Sequence, residues 1–221
     1  MSASLWIAAL SLTALILAAS AEDGVSGYEP AHALGLGKGD WWIRYPDQNV
    51  DADKSVGHPL WVLNALKSGP VLILDHTKYC RPCVKLQADV KKVMANISSI
   101  MTYYDLDAEG SDRRAQDILD IYSPTGTSEN RVPLMVVLTL IRDGNGQVRV
   151  AWHSNSGLPV DSHGNDLGEV AVNSYLQDAI YYHSQNTDAA QENPALFSGV
   201  QESLRMEQLK GSTQQNLSSH G

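Results

Sequence analysis

The chain of 221 residues holds two cysteines, Cys80 and Cys83, in the run Lys78-Tyr79-Cys80-Arg81-Pro82-Cys83. Two sulfurs three residues apart can meet across one helical turn and exchange with a disulfide of another molecule. The flanking residues place them at the mouth of a helix. Leu86, Val90, Val93, Met94 and Ile97 recur at the 3.6-residue period, and Cys83 falls on the same stripe. A sulfur in the first turn meets unpaired N–H groups and the positive end of the dipole, which favour the thiolate. Lys78 and Arg81 add positive charge and push the same way. Pro82 stands where a missing N–H costs no intrahelical bond. On this placement Cys80 is the attacking sulfur and Cys83 the sheltered, resolving one.

Other readings of the pair stay open at this point. A structural disulfide of so short a span contributes little through loop closure. A metal site would need two further ligands, for which His76, His153 and His163 are available, yet no second pair has finger-like spacing. Two inert core cysteines are a third reading. Two cysteines also exclude a framework of several disulfides and a four-cysteine zinc site within one chain.

The elements that must position the pair are legible in outline. Val71 to Leu74 is a continuous apolar run after the Gly69-Pro70 turn signal, which suits a strand covered on both faces. A short helix begins at His58-Pro59, with Leu60, Leu63 and Leu66 or Lys67 on its inner side. Met101 to Leu106 reads as a strand and Asp112 to Tyr122 as a helix. Leu134 to Ile141 reads as a long strand. Asp143-Gly144-Asn145-Gly146 is a hairpin turn, and Val148, Val150 and Trp152 lie on the returning strand. A final helix carries Val172, Leu176, Ala179, Ile180 and His183 on one face. Asp40 to Tyr45 reads as a further strand.

This order resembles the thioredoxin superfamily. Val71-Leu72-Ile73-Leu74 followed by Tyr79-Cys80-Arg81-Pro82-Cys83 resembles the family's active-site strand and redox turn, and Val132-Pro133 resembles its cis-proline. The likeness covers about residues 40–183. It implies an α/β thioredoxin-like fold, a central mixed sheet of four to five strands flanked by helices on both faces. It implies that Pro133 is cis and that the backbone at Val132 binds an extended substrate segment. Tyr79 stands in place of the family's tryptophan, and Arg81 in place of a glycine. Arg81 should favour the thiolate and make the pair more oxidising than thioredoxin, within roughly −270 to −120 mV. The buried acidic residue of thioredoxin corresponds to Leu74, with Asp75 one place later, so the proton carrier is not identified by the likeness.

Composition sets the remaining bounds. Sixteen basic residues against 25 acidic ones give a net charge of -9, which argues against general nucleic-acid binding. Residues 1–21 carry no charged side chain, with an apolar core from Leu5 to Ala19 and a small-x-small run at Ala19-Ser20-Ala21. They read as a secretory signal cut after Ala21, or as a membrane anchor through residues 4–21. Either predicts an extracytoplasmic location, secreted or tethered to the outer face of the cytoplasmic membrane. Residues 22–39 read as a glycine-rich linker, 40–184 as the thioredoxin-like domain and 185–221 as a polar tail, within which Phe197, Val200 and Leu204 could line a short helix.

Minor signals receive ordinary readings. Asp161, His163 and Asp166 form a polar loop cluster. Asn96 lies in a helix, which discounts its glycosylation pattern, and Asn216 lies in the tail. Trp41, Trp42, Trp61 and Trp152 read as packing residues. The sequence therefore predicts a thiol–disulfide oxidoreductase that needs no cofactor and no metal. Its partners would be proteins with thiols or disulfides and a separate protein that recharges Cys80. A thioredoxin-like binding module without turnover, and a copper metallochaperone using both thiolates and His153, are the competing functions.

Overall fold

The computed structural model describes residues 28–32, 41–42, 56–123 and 132–198. The elements follow in the order α1 (Leu60–Leu66), β1 (Val71–His76), α2 (Arg81–Ile97), β2 (Thr102–Asp107), α3 (Arg113–Tyr122), β3 (Leu134–Arg142), β4 (Val148–Ser156) and α4 (Gly168–Gln191). A short 3-10 helix, Pro194–Phe197, follows. The four strands form one mixed sheet in the order β2-β1-β3-β4. β1 and β2 are parallel, and β1–β3 and β3–β4 are antiparallel.

Alternation along the central strands builds two cores. Val71 and Ile73 of β1 join Leu134, Val136, Leu138 and Leu140 of β3 under α1 and α3. Leu72 and Leu74 join Met135, Val137 and Ile141 under α2 and α4. Side chains two apart share a face, so an apolar run without polar interruption is what a strand covered on both sides requires. The helices supply matching stripes. α2 buries Cys83, Leu86, Val90, Val93, Met94 and Ile97, as its period predicts. α3 is capped by Asp112, whose side chain accepts from the Arg114 amide, and buries Ala115, Ile118, Leu119 and Tyr122. α1 is stopped by Gly69-Pro70, and a β-carbon on Gly69 would run into the carbonyl oxygen of Ile100.

Several expectations need correction. Leu60 opens α1 on its exposed side, while Val62 joins Leu63 and Leu66 inside. Ile180 is only half-buried. α4 runs past residue 184 to Gln191, because the buried stripe continues from His183 through Asn186 to Ala190. Asn186 looks polar in sequence, but its side-chain amide donates to the Leu140 carbonyl at 3.1 Å. Phe197 also packs inward.

Residues 28–32, within the stretch expected as a linker, lie against α4. The buried Asp178 carboxylate accepts from the Ala31 amide at 3.0 Å and the His32 amide at 2.8 Å. It also meets the His32 ring at 2.7 Å and accepts from the Tyr28 hydroxyl. These bonds hold Asp178 below the usual carboxylate range against the opposing effect of its burial. Trp42 is buried, and its carbonyl accepts from the Trp152 amide on β4 at 2.7 Å. The remainder of the expected strand from Asp40 to Tyr45, and the signal or anchor expected in residues 1–21, fall outside the described residues.

Candidate functional site

β1 ends at His76 and α2 begins at Arg81, so Cys80 is the N-cap of α2. Its sulfur occupies the position where a serine or aspartate oxygen usually accepts from the first turn. The Cys83 amide donates to it at 3.2 Å. The first helical bond of that turn runs from the Val84 amide to the Cys80 carbonyl at 3.1 Å. Pro82 stands within this turn, where its missing N–H costs nothing.

The two sulfurs are joined in a disulfide, with the α-carbons 5.1 Å apart. Cys80 is partly exposed, whereas Cys83 is 1% exposed and belongs to the inner stripe of α2. The pair thus offers one sulfur to solvent and shelters the other. Tyr79, Arg81 and Pro82 are exposed around it, and Lys78 lies over the Tyr79 ring at 5.6 Å.

The peptide bond between Val132 and Pro133 is cis, as the resemblance implies. It immediately precedes β3, whose Leu134 pairs with Asp75 of β1. That register carries Val132 to the redox turn, and its carbonyl oxygen lies 3.8 Å from the Cys80 sulfur. The structure therefore brings Cys80, Cys83, Val132 and Pro133 together, with Lys78, Tyr79, Arg81 and Pro82 around them.

The segment after β4 completes the rim, a place that its polar cluster in the sequence does not indicate. The Gly157 amide donates to the Pro133 carbonyl at 2.8 Å. Residues 158–167 then turn back, closed by a bridge between Val160 and Asp166. Asp166 pairs with Lys85 of α2 at 2.6 Å, and Lys85 also meets Asp89 at 2.9 Å. One loop thus touches both the cis-proline and the helix that carries the cysteines. Its only sequence signal is the glycine-containing polar cluster, in which Asp161 accepts from the His163 and Asn165 amides.

Asp75 lies on the opposite face of β1 from Leu74 and is fully buried. Neither carboxylate oxygen has a hydrogen-bond partner among the described residues. Burial pushes its pKa up to about 7, and the charge of Asp107 adds to this. It sits on the α1–α3 side of the sheet, while Cys83 packs on the α2–α4 side.

His153 does not stand beside the cysteines. It pairs in register with Val137 inside β4, and its ring stacks on Trp41 at 3.5 Å. No three His, Cys, Asp or Glu side chains gather as metal ligands among the described residues. Trp41 stacks on His32 as well, at 4.1 Å, so this tryptophan packs between the N-terminal segment and β4.

Together these features define a thioredoxin-like α/β fold with a closely spaced C-x-x-C cysteine pair joined in a disulfide. Similar solved structures include a chloroplastic thioredoxin z, at 12% identity over 54% of this chain and 86% of that one, with a TM-score of 0.36. Mitochondrial thioredoxin 3 from Saccharomyces cerevisiae, in its oxidized form, is 16% identical over 52% of this chain and 84% of that one, with a TM-score of 0.32. A chain from a study of thiol resolution in yeast mitochondrial 1-Cys peroxiredoxin through glutathione and thioredoxin systems is 14% identical over 56% of this chain and 92% of that one, with a TM-score of 0.34. No protein-family model and no curated protein matches the chain. Function does not transfer across likenesses of this size.

The location expected from residues 1–21 is corrected. No helix among the described residues is long and apolar enough to cross a membrane, and residues 1–21, which carried that expectation, fall outside them. No extracytoplasmic or membrane-tethered location is assigned.

Proposed function

We propose that the chain is a protein thiol–disulfide oxidoreductase in which Cys80 attacks and Cys83 resolves. The observation that supports it best is the unequal exposure of two sulfurs close enough to be bonded. In the reducing direction the Cys80 thiolate attacks one sulfur of a partner disulfide. That bond breaks, the partner's second sulfur leaves as a thiolate, and a mixed disulfide forms. Cys83, once deprotonated, attacks the Cys80 sulfur, closes the Cys80–Cys83 disulfide and releases the partner's first sulfur as a thiol. Two electrons pass to the partner. The oxidising direction is the same sequence reversed.

The supporting residues act on the first step. The α2 N-terminus, the Cys83 amide and the charges of Lys78 and Arg81 all favour negative charge on Cys80. Val132 and Pro133 form the backbone rim against which an extended partner segment lies, with the Val132 carbonyl beside the attacked sulfur. The dithiol carries the electrons itself, so the reaction calls for no cofactor.

The test is insulin reduction with dithiothreitol as the electron source. The wild-type chain accelerates it, and Cys80→Ser abolishes the acceleration. A Cys80→Ser variant with full activity overturns the reading.

A further inference from the structure

We infer that the partner segment this site accepts is an extended, cysteine-containing stretch carrying carboxylates beside its cysteine. The inference rests on the oxidoreductase reading above and names the substrate class of that same site. It comes from the charges left open at the redox end of an otherwise acidic protein.

The full chain carries -9, yet Lys78 and Arg81, which bracket Cys80, are exposed and form no ion pair among the described residues. Among the described residues Lys78 rests only on the Tyr79 ring, which is 83% exposed. At two residues and one residue from Cys80, both α-carbons lie within roughly 7 Å of the Cys80 α-carbon. The described carboxylates on the cis-proline side are already engaged. Asp166 is held by Lys85 and by the Gly168 amide at 2.8 Å, and Asp89 is held by Lys85. Asp161 accepts from its own turn, and its side chain meets Asn165 Nδ2 at 2.9 Å.

The direction of approach follows from the sheet order. Val132 and Pro133 lead into β3, and the Gly157 loop extends β4, so a segment lying along them crosses the ends of β3 and β4. The less engaged acids, Asp107 and Glu109, stand at the end of β2, on the far side of β1. Among the described residues, a carboxylate on the incoming segment therefore meets two uncompensated cations before it meets an uncompensated anion. Such focusing raises association rates by about 10-fold to 1,000-fold at low salt and fades as salt rises.

The experiment uses the reduced full chain and cyclic disulfide peptides identical except for Glu, Gln or Lys on both sides of the cysteine. Uncharged hydroxyethyl disulfide is the chemical control. At an ionic strength of about 10 mM, where the screening length is about 30 Å, kcat/KM for the Glu peptide exceeds that for the Lys peptide by about tenfold or more. At about 1 M salt, where it is about 3 Å, the ratio collapses toward one. In Lys78→Glu the Glu-to-Lys ratio at low salt falls severalfold, whatever happens to the absolute rate. A protein that turns over hydroxyethyl disulfide but treats the three peptides alike overturns this inference and leaves the oxidoreductase reading intact. So does a Lys78→Glu variant with the wild-type ratio. A protein inert toward every disulfide, hydroxyethyl disulfide included, overturns the oxidoreductase reading itself.

Discussion

The backbone amide of Cys83 points at the sulfur of Cys80 across 3.2 Å. The residue that resolves the intermediate therefore also supplies a donor to the residue that attacks. Both roles follow from a cysteine at the N-cap and another three residues on, since that is the reach of a capping side chain to the third amide of the turn.

Cys83→Ser keeps this backbone donor and removes the resolving sulfur. It should form a mixed disulfide with a peptide disulfide and stall. Intact mass spectrometry reads the adduct, and dithiothreitol releases it. A Cys83→Ser protein that completes multiple turnovers without accumulating the adduct would show that the second sulfur is dispensable.

Arg81 is exposed beside the attacking sulfur, so its effect on the thiolate is screened by solvent. Arg81→Gly should destabilise the reduced form and move the potential negative by about 10–30 mV. Equilibration against glutathione measures this. A shift in the positive direction would contradict the proposed role of the guanidinium.

Asp75 makes stability depend on pH in an uncommon sense. Its folded pKa, about 7, lies above the ordinary 3.8. Between those values the folded chain holds a proton that the unfolded chain has lost, so stability falls as pH rises through the window and stays reduced above it. Asp75→Asn imitates the protonated acid. Its melting temperature should match wild type near pH 4 and exceed it at pH 8, by an amount on the order of a few kcal/mol in stability. Equal melting temperatures at pH 8 would contradict this.

His153 acts in the opposite sense. Burial is the main cause of a folded pKa lowered from 6.5 to about 4, and His32 nearby adds repulsion. As pH falls from about 6.5 to 4, the unfolded chain binds a proton that the folded chain refuses, so stability is lost on acidification. His58, half-buried against Tyr122 and lowered to about 4 by desolvation, contributes in the same direction. His153→Phe keeps a ring against Trp41 and should flatten the melting-temperature profile between pH 7 and 5. An unchanged slope would place the acid sensitivity elsewhere.

The features legible in sequence were those written in local period. Cys83, Leu86, Val90, Val93, Met94 and Ile97 repeat as a helix repeats, and the unbroken run from Val71 to Leu74 reads as a strand covered on both sides. The cis bond at Pro133 was implied by family likeness rather than by any local pattern. What stayed hidden was set by partners distant in sequence. Asp178 interrupts the apolar stripe of α4 and looks like a solvent-facing residue, yet its donors lie 146 to 150 residues earlier. Lys85 and Asp166 are ordinary charges until the fold places them 2.6 Å apart. Asn186 is polar by type, and only the Leu140 carbonyl beside it explains why α4 continues. Asp75 stands one place from the position of the family's acid, but its face of the sheet follows from strand alternation together with the packing on each side.

An investigator trimming this protein for study would be tempted to start just before Pro59, where regular secondary structure begins. That cut would strip Asp178 of the Tyr28, Ala31 and His32 donors and uncover the face of α4 on which they lie. The smallest fragment worth expressing therefore begins upstream of Tyr28, and the leading segment belongs to the foundation of the domain.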